Sequence, residues 1–145
     1  MSDSFFLDTN IIFYSFDQQP SDKGEIADRL LQEALLTRKG AISYQVVQEF
    51  FNVARKRSPG PMRLEEAEHY LSAVLSPLCT IHSSPALFYK ALQLVERFQL
   101  QWYDALIVAG ALEAKCGILY SEDFQNGQKF DGLEIRNPFL QPMMR

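Results

Sequence analysis

The sequence predicts an α/β protein: a three-layer α/β/α sandwich around a parallel central sheet. Three observations carry this. Short strand-like runs alternate with longer helical patterns along the chain, and helices crossing between such strands make them parallel and cover both faces of the sheet. The segment WYDALIVAGALEAKC (102–116) is apolar nearly all round, as a helix buried on most sides must be. Two carboxylates, Asp8 and Asp123, stand just after predicted strands, and ligands of parallel sheets bind outside those strand ends.

In chain order, SFFL (4–7) is the first strand. GEIADRLLQEALL (24–36) sets Ile26, Leu30, Leu31, Ala34 and Leu35 at helical spacing, with Gly40 as a stop. AIS (41–43) reads as a brief strand, followed by the helix SYQVVQEFFNVARKR (43–57), which opens on a serine cap, ends basic and is broken by SPGP (58–61). LEEAEHYLSAVL (64–75) is a further helix stopped by Pro77, and CTIH (79–82) a third strand candidate. PALFYKALQLVERF (85–98) and the apolar helix 102–116 follow, Gly117 ending the latter, and GILYS (117–121) returns to the sheet.

At 145 residues the chain is the size of one ordinary domain, expected to span 1–145. A composition 47% hydrophobic and 22% charged, with 7 Gly and 7 Pro, excludes disordered and collagen-like classes. Cys79 and Cys116 sit in apolar segments without metal or redox spacing and are expected buried and reduced. The opening MSDSFFLD has no basic region ahead of an apolar one, and no apolar run nears the roughly 18 residues that span a bilayer. The expectation is a soluble, cytoplasmic protein with no membrane partner. A formal charge of −4 argues against a non-specific polyanion binder. It does not exclude nucleic acid, because carboxylates committed to a metal cease to repel an anion.

Asp8 interrupts the otherwise almost unbroken apolar run FFLDTNIIFYSF (5–16). A carboxylate placed there costs several kcal/mol, on the order of 2.5 or more, unless donors, a counter-charge or a metal compensate it. Taken singly, each acid has a plain reading. Asp8 and Asp104 are residues that cap helices, Glu49 shares a stripe with Gln45, Asn52 and Lys56 that suits a solvated face, and Asp123 in SEDFQNG suits a turn. Asp104 has Ile107, Val108 and Ala111 along its face and is expected to point inward. Together the four read differently, since two follow strands and two lie on helices that must pack beside those strand ends. Two carboxylates about 4 Å apart repel by roughly 4 kcal/mol at an effective dielectric of 20, which favours a bound cation or a shifted pKa. Oxygen ligands without His or Cys favour Mg2+, with Mn2+ as its substitute, over zinc. His69 and His82 have no partner at ligand spacing, ARKR (54–57) suits a helix C-terminus as well as a phosphate contact, and Phe50, Phe51 and Trp102 read as core.

LDTN at the first strand, QEF on the following helix, WYDALIVAGALEA, and LYSEDFQNG followed by DGLEIRNPF resemble the PIN-domain ribonucleases, in particular the VapC-type toxins of bacterial toxin–antitoxin pairs. The resemblance covers essentially the whole chain and is most specific in its last third. It implies a PIN-like fold and Asp8, Glu49, Asp104 and Asp123 as acidic metal ligands and catalytic residues, with Asn10 near the site through the DTN motif; Glu122, beside Asp123, reads from its position as either solvent-facing or an accessory residue behind the ligands. It further implies an RNA substrate, Mg2+-dependent endoribonuclease activity, a homodimer and a cognate antitoxin protein. The alternatives are a stand-alone RNA-processing PIN nuclease and a PIN-like domain that binds RNA or protein without cutting. A HAD-type phosphohydrolase needs an Asp where Asn10 stands, and a receiver domain needs an Asp where the sequence has TIHSS.

Overall fold

The computed structural model of the chain describes residues 3–17, 22–56 and 60–140. Strand β1 (Phe5–Leu7) leads into helices α1 (Thr9–Asp17) and α2 (Asp22–Thr37), and β2 (Gly40–Ser43) into α3 (Tyr44–Ala54). Helix α4 (Leu64–Tyr70) passes through a wider π-type stretch, Leu71–Leu75, into the short α5 (Ser76–Leu78) and β3 (Cys79–Ile81). Then come α6 (Pro85–Phe98), α7 (Trp102–Glu113), β4 (Ile118–Tyr120), β5 (Lys129–Phe130) and β6 (Leu133–Arg136). The sheet order is β3-β2-β1-β4-β6-β5, parallel throughout except for β5 against β6. The chain moves from β1 to one side through β2 and β3, then returns to β4 on the other side. The crevice beyond β1 and β4 is therefore the switch point at which such sheets bind ligands.

The alternation of β1 builds the layers. Phe5 and Phe6 point to opposite faces. Phe5 lies beside Gly40, where a Cβ would fall 2.2 Å from the Ala34 Cβ of α2. Phe6 lies on the other face beside Gly110 of α7. Helices thus cover both faces, as the sequence predicts, with α1 packed on α2 and α6 on α7. The seven residues from Ala105 to Ala111 are all buried, which explains why that helix shows no polar face.

Several boundaries differ from the sequence-based reading. Helix α2 ends on Arg38 in the left-handed region (φ 61°), while Gly40 is the first residue of β2, needed for close approach to Ala34 rather than as a stop. Ser43 precedes α3 without capping it, since its buried hydroxyl has no partner among the described atoms. The helix 64–75 runs on past Pro77, because proline is tolerated in the first turn of α5. Helix α7 closes before Lys115 (φ 61°), not at Gly117. Trp102 is 36% exposed against Phe88 instead of being core, whereas Phe50 is fully buried. Arg57 of the basic helix end and the first half of SPGP lie outside the described residues. Helix α1 and the β5–β6 hairpin have no counterpart in the sequence-based reading. No helix is long and apolar enough to cross a membrane among the described residues.

Candidate functional site

Asp8 follows β1, and the ladder reaches it: its N–H donates to the Tyr120 carbonyl of β4 at 3.1 Å. Its own carbonyl accepts from Ile11 N–H at 3.1 Å, opening α1. The side chain is 5% exposed. Oδ1 accepts from Thr9 N–H at 2.7 Å, so the capping reading holds in part, and Oδ2 accepts from the Ser121 hydroxyl at 2.7 Å. Both donors are neutral, and no lysine or arginine pairs with Asp8, Glu49, Asp104 or Asp123 among the described residues. Burial pushes the Asp8 carboxyl up to about 7. The Ser121 and Thr9 hydrogen bonds oppose the rise, and the charges of Asp123 and Glu49 add to it.

Ser121, fully buried at the end of β4, is the joint between two acids. Its hydroxyl donates to Asp8 and accepts from the Asp123 N–H at 3.0 Å. Asp123 receives Asn10 Nδ2 at 3.1 Å on its Oδ2, and its pKa is raised by burial and by the charges of Glu122 and Glu49. Asp104, half-buried in the first turn of α7, is raised by burial and then by Asp123 and Glu49. Glu49 projects from α3 with Oε1 accepting from the Thr9 hydroxyl at 2.6 Å and Oε2 from Gln45 Nε2 at 3.0 Å. The structure therefore places both Asp8 and Asp104 within the field of Asp123 and Glu49 at the switch point.

Glu122 faces elsewhere. One of its oxygens accepts from the Tyr14 hydroxyl and the other pairs with Lys23 at 2.8 Å. Burial raises its pKa, but the Lys23 and Tyr14 hydrogen bonds outweigh this and hold it below the usual range. It ties the loop bearing Asp123 to α1 and α2. His69 and His82 are exposed.

Sequence reasoning missed Thr9, Ser121 and Gln45. Thr9 and Ser121 were visible only as neighbours inside DTN and LYSED. Gln45 shares the sequence pattern of a solvated stripe, yet it is 4% exposed, and its i−4 spacing from Glu49 is the available signal.

The donor set suits a hard cation: every candidate ligand is oxygen. Asn10 Oδ1 is buried without a partner beside Asp123, and Asp8 is a buried carboxylate with no counter-charge. These residues fit a divalent ion. Among the described residues no three acids, histidines or cysteines are drawn together tightly enough to grip one outright.

An oxygen-lined acidic crevice at the switch point of a mostly parallel sheet has the chemistry of a candidate site for a hard divalent cation. The chain belongs to the PIN domain family, whose model matches residues 5–127. Its fold is similar to a toxin–antitoxin complex from Klebsiella pneumoniae, with TM-score 0.69 and 21% identity over 94% of this chain and 98% of that one. It is also similar to VapC20 of Mycobacterium tuberculosis, a sarcin–ricin loop cleaving toxin, with TM-score 0.59 and 20% identity over 83% of this chain and 90% of that one. A third similar structure is VapBC2 from Rickettsia felis bound to a fragment of promoter DNA, with TM-score 0.61 and 21% identity over 91% and 96% of the two chains. No curated protein sequence matches.

Proposed function

We propose that this chain is a Mg2+-dependent endoribonuclease that hydrolyses RNA phosphodiester bonds as the toxin of a type II toxin–antitoxin pair, acting as one PIN unit over residues 1–145. The observation that carries the reading is the buried Asp8, paired with no lysine or arginine among the described residues and lying in the field of Glu49 and Asp123. PIN-family membership and the toxin–antitoxin character of the similar structures support it.

Asp8, Glu49, Asp104 and Asp123 would hold Mg2+, or Mn2+ in its place, and the bound ion would polarise the phosphate, supply a nucleophilic hydroxide near neutral pH and stabilise the leaving oxygen. The rest falls to the chain's own groups. Ser121 fixes Asp8 and Asp123 relative to each other, Thr9 orients Glu49, and Asn10 donates to Asp123 while its Oδ1 is buried without a partner among the described atoms. The carboxylates serve as ligands, with no need of a histidine base. The protein partners in this reading are a second copy of the chain and a cognate antitoxin.

Sequencing RNA ends in cells expressing the chain, against an Asp8→Asn control, tests the proposal. New ends that vanish with Asp8→Asn are expected, and purified Glu49→Gln and Asp104→Asn should lose nearly all Mg2+-dependent cleavage. Identical ends in both strains would contradict it, and full activity of Asp104→Asn would remove that residue from the site.

A further inference from the structure

Gln45 lies one helical turn before Glu49 on α3 and is 4% exposed. Its Nε2 donates twice, to Glu49 Oε2 at 3.0 Å and to the Tyr103 carbonyl of α7 at 3.2 Å. The two acceptors fix which way the amide faces, because turned over it would set its oxygen against both of them. Oε1 is left buried with no partner among the described atoms. A buried amide with an unmatched oxygen serves the fold less well than an apolar side chain of equal length. What the amide adds is a donor held against Glu49 and, through the residue before it, against Asp104.

We propose that Gln45 is a positioning residue for the candidate metal site, locking the Glu49 carboxylate and the first turn of α7 into one arrangement. This rests on the metal-dependent reading above. Thr9 holds the other Glu49 oxygen from α1 at 2.6 Å, so the carboxylate is oriented by neutral donors from two elements. Neutral donors leave its negative charge for a cation, as residues behind metal ligands commonly do. Of these two donors only Gln45 also reaches α7.

The test measures Mn2+ dissociation constants by electron paramagnetic resonance for the wild type, Gln45→Met, Glu49→Gln and the double variant, with melting temperatures in EDTA. Gln45→Met should weaken Mn2+ binding roughly 10- to 100-fold with a metal-free melting temperature equal to or above that of the wild type. In the Glu49→Gln background it should weaken binding no further. A wild-type constant in Gln45→Met alongside an impaired Glu49→Gln would overturn the proposal alone. Mn2+ binding indifferent to Glu49→Gln would overturn the metal reading and the proposal with it. On the unsubstituted protein, which removes any dependence on a variant's folding, the Gln45 side-chain amide signals should shift along a Mg2+ titration followed by NMR. Signals that stay still while Mg2+ binds elsewhere in the crevice would overturn the proposal.

Discussion

Asp8 is a residue under electrostatic tension. An acid whose folded pKa is raised binds its proton more tightly in the native state, so its contribution favours folding at low pH and turns against folding as pH rises from the ordinary value near 3.8 to about 7. In EDTA, stability should therefore decline over that window, and Asp8→Asn should flatten the decline. At pH 7.5 the neutralising variants Asp8→Asn, Asp104→Asn and Glu49→Gln should melt at or above the wild-type temperature in EDTA. For Asp8→Asn the gain is bounded by one lost hydrogen bond, because an amide nitrogen cannot accept from Thr9 or Ser121 as the carboxylate oxygen does. All three should show smaller stabilisation by added Mg2+. Calorimetry across pH, with and without metal, checks this. A clear loss of metal-free melting temperature in all three would return the acids to the role of caps and hydrogen-bond anchors.

Among the elements, the alternation of strand and helix was legible in sequence because β1–β4 are bounded runs and α2, α3, α6 and α7 keep helical spacing or, for α7, uniform apolarity. Helix α1 was not, since Ile11, Ile12, Phe13 and Phe16 continue the apolar run of β1 and mask the change of period. The β5–β6 hairpin does carry a signal in its turn. Asp131 and Gly132 take positive φ (51° and 92°), the conformation that an Asp-Gly pair favours in a two-residue turn, and Arg97 of α6 clamps the turn through both oxygens of Asp131 at 2.9 Å. The four acids were legible as outliers in apolar or capping contexts. The groups that orient them were not, because a Thr, a Ser and a Gln carry no charge to betray burial. The layering makes its own prediction: Gly40→Ala would drive a methyl into Ala34 and should destabilise the protein by about 1–3 kcal/mol. Urea unfolding measures it, and Ala34→Gly in the same background should recover part of the loss. An unchanged midpoint for Gly40→Ala would show that α2 does not pack on β2 this closely.

For the whole molecule, the formal charge of −4 and the acidic crevice oppose RNA binding until metal is present, so substrate affinity should itself depend on the ion. The proposed partners follow from the same chemistry. An antitoxin segment that places an arginine in the crevice would compete with the metal for the same carboxylates. Light scattering is expected to give twice the chain mass, and the product of the immediately upstream gene is expected to bind the chain and relieve its toxicity. If that product does neither, a stand-alone RNA-processing role replaces the toxin role. The central claim is hydrolysis by metal-activated water, and the chemistry of the cut ends tests it most directly. Ribonucleases that work without metal use the 2'-hydroxyl with an acid and a base tuned near neutrality and leave cyclic phosphates. Here His69 is exposed on α4 and His82 is exposed just beyond β3. Purified protein should yield RNA ends that accept adaptors demanding a 5'-phosphate, and EDTA during cleavage should abolish them. Ends bearing a 2',3'-cyclic phosphate, undiminished by EDTA, would contradict the account.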